Sequence, residues 1–359
     1  MPQPITHYQV VKQAMETAAP QLWTAYSNYA GFGSFGPDLY YIKDLALRYV
    51  DQHLDYDKLA DTMHAEKSMD FFCSMLGIVK QNWNVDYETA GKQLAYAIGY
   101  YAHVITDCLF HPYVYRKSND HWKYHDPKEF ENVHKKVEAI IDHHIMQANG
   151  ITDQNLSYFN VNCDSCGNDD LLDPAIANLL SQSLNSIYAE TIGANFNTYS
   201  LDMPLHPLNE AYDDYKNAFT FVYGLQNVLF QFRSHFSNNR LAQKLTAEDI
   251  NQANELHGPW LTTGESAQLT YSVMDLLSFS IKAVQQVITA TYGFLASDDP
   301  DAKNYFANTN TVVFLDQNWN LDTGLPDSLN TTEQNFALDE TRFDFGINTL
   351  SSNFERLKI

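Results

Sequence analysis

His103, Asp107 and His111 follow one another at intervals of four residues in the stretch Ala95–Pro112, AYAIGYYAHVITDCLFHP. On an α-helix each such step advances about 40° around the axis, so the three side chains would form one narrow stripe. The rest of the stretch is apolar and made for burial, and buried imidazoles and carboxylates need partners. Leaving Asp107 buried and unpaired would cost several kcal/mol, which calls for a compensating cation. A metal ion fits both residue types. The same spacing recurs at His134, Glu138 and Asp142. Ligands at i and i+4 point at one external spot, and two such sets on neighbouring helices are a stronger signal than one. His53, His206, His235 and His257 are better read as satisfied core histidines. His121, His125, His143 and His144 lie in polar surroundings and are expected to face solvent.

The elements that must position these residues are helices. Residues 6–19 read as a first helix, with Thr6 able to cap it and Pro20 near its end. NYAGFGSFGP, residues 28–37, reads as a glycine-rich loop; no Lys-Ser/Thr follows and no strand precedes, so a phosphate loop is weakly supported. Pro37-Asp38 opens a helix to about Val50, and a third helix over 55–80 carries His64. The fourth is expected over 86–111, then a polar loop, SNDHWKYHDP, then a fifth helix from Pro127 to Ala148. Residues 151–170 read as an irregular connection, with helical patterns returning at 171–197, 207–236 and 265–296 and a mostly loop-like segment at 237–264. Beyond Ser297, VVFL at 312–315 and RFDF at 342–345 suggest short strands. The expected fold is mainly α: a multi-helix body over 1–297 with a small C-terminal appendage, 298–359, containing short β-strands.

Composition narrows the function. The 359-residue chain has 22 Lys and Arg against 44 Asp and Glu, a net charge of −22, which argues against broad binding to a nucleic-acid backbone. Bound cations could still reverse the field locally for an anionic substrate. Cys163 and Cys166 form a single CxxC with no second pair to complete a four-sulfur zinc site, and Cys73 and Cys108 stand alone. The start, MPQPITHYQVVKQAM, shows no signal-peptide pattern, and no window has the uninterrupted apolar length of a spanning helix.

Further motifs carry a family resemblance. Thr6-His7, the GPDLYY segment at Gly36 to Tyr41, His64 within its helix, GYYAHVITDCLFHP at 99–112 and HKKVE at 134–138 resemble the zinc-dependent phospholipases C. This all-helical superfamily also includes zinc-dependent single-strand nucleases. The likeness covers roughly residues 1–145. It implies a cluster of two or three zinc ions. Asp38, His64 and His103 would hold one together with Asp107, which bridges to a second held by His7; His111, His134 and Glu138 would hold a third. Asp142 would steady a ligand histidine from behind. The best-known members complete one site with an N-terminal Trp, whereas this chain begins Met-Pro-Gln-Pro and has its first Trp at Trp23. The His7 ion would therefore be weaker, differently completed, or missing.

The activity implied is hydrolysis on the glycerol side of a phospholipid phosphate, phosphatidylcholine by default, with Asp38 orienting or deprotonating the attacking water. Tyr40, Tyr41 or Tyr100 could contact a choline cation, although such aromatics are more often core. The alternatives are a zinc-dependent single-strand nuclease, which the charge disfavours, and a zinc-stabilised binding module without turnover. Relatives of this kind mostly act outside the producing bacterial cell, with retention in the cytoplasm as the alternative. Contact with a membrane surface would be peripheral.

Overall fold

The computed structural model describes residues 4–40, 56–122, 127–151, 173–192, 253–261, 268–309, 312, 314–329 and 349–357. In chain order these form α1 (Pro4–Ala18), α2 (Pro20–Gly33), α3 (Tyr56–Ala65), α4 (Ser68–Trp83), α5 (Tyr87–Trp122), α6 (Pro127–Ala148) and α7 (Pro174–Ile192). An antiparallel pair, β1 (Trp260–Leu261) with β2 (Gln268–Leu269), precedes α8 (Val273–Ala296) and α9 (Ala302–Thr309). A second antiparallel pair joins β3 (Trp319–Asn320) to β4 (Leu325–Pro326), with Trp319 opposite Pro326. A 3-10 turn at Asp327–Leu329 follows, and α10 (Thr349–Leu357) comes last. The protein is mainly α, with two small antiparallel strand pairs in its C-terminal third.

The axis of the bundle is α5. Every residue from Gln93 to Tyr115 is buried, the condition of a helix surrounded by others, and α1, α2, α4, α6, α7 and α8 all pack against it. Its approach to α2 is unusually close. A Cβ added at Gly33 would lie 2.2 Å from the Tyr96 carbonyl oxygen, and one at Gly99 would lie 2.1 Å from that of Ala30. This overturns the loop expected at NYAGFGSFGP. Residues 28–33 are the last turns of α2, and only 34–37 form a turn. Gly33, an unfavourable residue within a helix, is selected here by backbone contact rather than by a bend.

Several boundaries differ from expectation for tertiary reasons. The helix expected over 55–80 is broken between α3 and α4, with Lys67 in the left-handed region at φ 61°. The break is held from outside: Lys67 N–H donates to Asp327 Oδ2 at 3.3 Å, and the Ser68 hydroxyl donates to the Trp319 carbonyl at 3.0 Å. By contrast α5 runs through Pro112 to Trp122, so the expected loop is helical at least over its first half. VVFL is not a strand, since residues 314–317 form turns and bends; the strands lie on either side of Leu321–Gly324 instead. The last long helix begins at Val273 rather than 265, because Ser272 caps it through a reciprocal pair with Asp275. Of the helix expected from Pro37, residues 38–40 are helical and the remainder lies outside the described residues. Also outside them are the irregular connection at 152–170, the 207–236 helix, RFDF, Tyr41, His53, His125, His206, His235, Cys163 and Cys166.

Candidate metal centre

Four helices and one turn bring the chemistry together. From α5 come His103, Asp107 and His111, all buried; α1 supplies His7, α3 supplies His64, and α6 supplies His134 and Glu138. Asp38 arrives on the short helical segment after the α2 turn. There Gly36 has φ +54°, and a Cβ would lie 2.5 Å from Cγ of His103, so the turn can pass the ring only as glycine. The eight side chains gather into three groups: His7 with His103 and Asp107, Asp38 with His64 and His103, and His111 with His134 and Glu138. Within each group the ligand atoms lie within 4.8 Å of one another. The eight residues singled out from the sequence thus lie together, with His103 shared between two groups; Asp107 groups with His7 and His103 and not with Asp38 and His64.

Asp107 joins the first two groups. Its Oδ1 lies 3.3 Å from His7 Nε2, and its Oδ2 lies 3.0 Å from His103 Nε2 and 3.9 Å from His64 Nε2. Asp38 Oδ1 approaches His64 Nε2 at 3.2 Å, and His134 Nε2 approaches Glu138 Oε1 at 2.8 Å. The rings of His7 and His103 stack, with centroids 4.0 Å apart.

Three backbone carbonyls decide which nitrogen each ring presents. His103 Nδ1 lies 3.0 Å from the Ser34 carbonyl, His64 Nδ1 lies 2.8 Å from that of Ala60, and His111 Nδ1 lies 2.6 Å from that of Leu321. A carbonyl can only accept, so Nδ1 carries the proton and donates, and Nε2 turns its lone pair into the centre. Nε2 of His7, His103 and His111 and both oxygens of Asp107 are buried and make no hydrogen bond among the described residues. A cation is the group these atoms lack, and the donor set of imidazole nitrogen and carboxylate oxygen suits zinc.

The electrostatics point the same way. Burial would push the Asp107 carboxyl up, but the neighbouring imidazoles, His103 foremost, more than reverse this and hold it well below the usual range. Burial also works against a charged His64, yet the close Asp38 carboxylate and the charges of Asp322, Asp38 and Asp107 raise it to about 9. Burial leads the other way at His7, whose ring is held well below its ordinary value, and at His111, lowered to about 3. The centre therefore favours positive charge at His64, beside Asp38, while His7 and His111 stay neutral.

Residues 6–185, half of the chain, match the family described as zinc dependent phospholipase C. The chain belongs to this family. No curated protein and no solved structure matches it. Membership supports zinc-dependent phospholipase C hydrolysis as the general function, and the matched span contains all eight residues of the three groups. Among the described residues of this phospholipase C family member, no helix is long and apolar enough to cross a membrane.

The structure revises several neighbours of the site. Asp142 makes its hydrogen bonds to the start of α1, accepting from Ile5 N–H at 3.1 Å, from Thr6 N–H at 2.9 Å and from the Thr6 hydroxyl. It therefore fixes the helix end next to His7 by capping it from α6, and burial pushes its own carboxyl up to about 7 against those bonds. Tyr40 and Tyr100 are buried in the core rather than placed to meet a head group. His257 is exposed, with its ring 3.3 Å from Asp275, and is no core histidine. His144 is half-buried and lies 3.3 Å from Glu255. Sequence reading missed the carbonyls of Ser34, Ala60 and Leu321, and also Tyr115, whose ring sits 4.9 Å from that of His134. A carbonyl is common to all residue types and leaves no sequence signal; the one available hint was Gly36 before Pro-Asp.

Proposed function

We propose that this protein is a zinc metallophospholipase C that hydrolyses the glycerol-side phosphodiester of phospholipids, phosphatidylcholine first among them, giving diacylglycerol and a phosphorylated head group. The observation that carries the reading is the convergence of eight acid and imidazole side chains, with three rings fixed in the tautomer that directs Nε2 inward. Asp38, His64, His103 and Asp107 would hold one ion, His7 and Asp107 a second, and His111, His134 and Glu138 a third. Zinc bound there supplies positive charge for the phosphate oxygens and brings the pKa of a coordinated water towards about 7.

The protein's own residues divide the remaining work. Asp107 is buried and flanked by imidazoles, so it stays ionised and lends one oxygen to each side. Asp38 is partly exposed, with 16% of its side chain reached by solvent, and is the acid that substrate and water can approach. We assign it the orienting or deprotonation of the attacking water. His103, clamped by Ser34 and stacked on His7, keeps the two groups in register. Asp142, by capping α1 at Ile5 and Thr6, would steady His7 as a ligand. Contact with lipid would be peripheral and the site of action outside the producing cell.

Purified protein supplied with zinc should release phosphocholine from phosphatidylcholine vesicles, and His103→Ala or Asp107→Ala should abolish release. Full activity after chelation without metal restoration would sink the proposal. Faster cleavage of single-stranded DNA than of phospholipid would favour a nuclease instead.

A further inference from the structure

Residues 314–327 lie outside the span that matches the family, yet they are fastened along the metal centre. The Tyr101 hydroxyl donates to the Phe314 carbonyl, and Asn318 exchanges bonds with Asp70, accepting from its N–H at 2.9 Å and donating to Oδ2 at 3.0 Å. The Trp319 N–H donates to the Ser68 hydroxyl at 2.9 Å. These contacts hold the β3–β4 hairpin against α4 and α5.

The Leu321 peptide does something different. Its N–H donates to the His64 carbonyl at 2.7 Å, and its own carbonyl accepts from His111 Nδ1 at 2.6 Å. One residue therefore grips the backbone of a ligand in one group and the ring of a ligand in another. The turn beyond it closes on α5. Gly324 has φ +66°, and a Cβ there would lie 2.3 Å from the Cys108 carbonyl oxygen and 3.1 Å from Cγ of Pro112. Pro112 has no N–H to offer that carbonyl, so the helical ladder is open where the hairpin arrives. Asn320 Oδ1 accepts the Thr323 N–H at 3.0 Å and holds the turn in shape.

We infer that the β3–β4 hairpin is a positioning element of the metal centre, in which the Leu321 carbonyl keeps the His111 proton on Nδ1 and so aims Nε2 at the ion shared with His134 and Glu138. This rests on the zinc phospholipase reading above. Leu321 acts through His111 and touches neither substrate nor metal. Half-buried Asp322, the next residue, adds negative charge towards His64.

The test uses full-length, zinc-loaded protein dialysed against a graded chelator series, with metal content and cobalt-substituted absorption as readouts. Gly324→Ala drives a Cβ into the Cys108 carbonyl and should lift the hairpin. It should release the ion of the His111 group at about ten- to a hundredfold lower chelator strength, with the His7 group retained as in the parent and the His64 group shifted less. The cobalt band that changes should be the one His134→Ala removes. Asn320→Ala, which only loosens the turn, should shift the same ion by less, and it decides the matter if Gly324→Ala does not fold. Parallel weakening of every ion, or no weakening at all, would overturn the inference and leave the hairpin a packing element. A parent protein that binds no zinc would instead overturn the phospholipase reading itself.

Discussion

Asp107 shows how one carboxylate can serve two neighbouring groups: each oxygen faces a different imidazole, and burial leaves water no share in it. The consequences at this scale are pH-dependent. His64 is raised to about 9, so below that pH zinc must displace a proton from it, whereas burial keeps His7 and His111 neutral and open to metal. Zinc affinity of the Asp38–His64–His103 group should therefore weaken by about tenfold per unit as pH falls below that value. Competition against a chelator of known affinity between pH 6 and 9 measures this; a flat profile would contradict it. Asp142 makes a second case. Because it caps α1 one residue before His7, Asp142→Ala should cost about 2 kcal/mol in urea unfolding and weaken the His7 ion more than the His111 ion.

Among the elements, α5 was the most legible from sequence, because a helix apolar on every side except a polar stripe can only be central and must carry a site. Gly31 and Gly33 of NYAGFGSFGP lie in a helix and not in the expected loop, since local propensity treats Gly as a turn former while the helix-to-helix distance is a tertiary quantity. That distance can be tested. Gly33→Ala or Gly99→Ala places a methyl within 2.2 Å of a backbone oxygen and should cost about 1–3 kcal/mol. Gly77→Ala, in α4 with nothing among the described residues within 4 Å of the new methyl, should instead stabilise by about 0.5–1 kcal/mol. Thermal unfolding of the three variants should give melting shifts of opposite sign; equal shifts would refute the close-contact account.

At the scale of the whole molecule, a net charge of −22 surrounds a centre suited to cations. Long-range repulsion should slow encounter with anionic vesicles and leave zwitterionic ones nearly unaffected. Raising salt should accordingly speed hydrolysis on anionic vesicles far more than on phosphatidylcholine, as initial rates at a fixed zinc concentration will show.

The sequence by itself determined which side chains could bind metal and which of them share a helix face, because a four-residue step on a helix leaves little geometric freedom. It also carried the mainly α class. Only the tertiary structure decided that Ser34, Ala60 and Leu321 lend carbonyls to three ligand rings, that Asp142 serves α1, and that a hairpin more than 200 residues beyond His111 reaches its ring. Backbone acceptors are the same at every residue. Their role depends on where the chain brings them, and no residue type announces that.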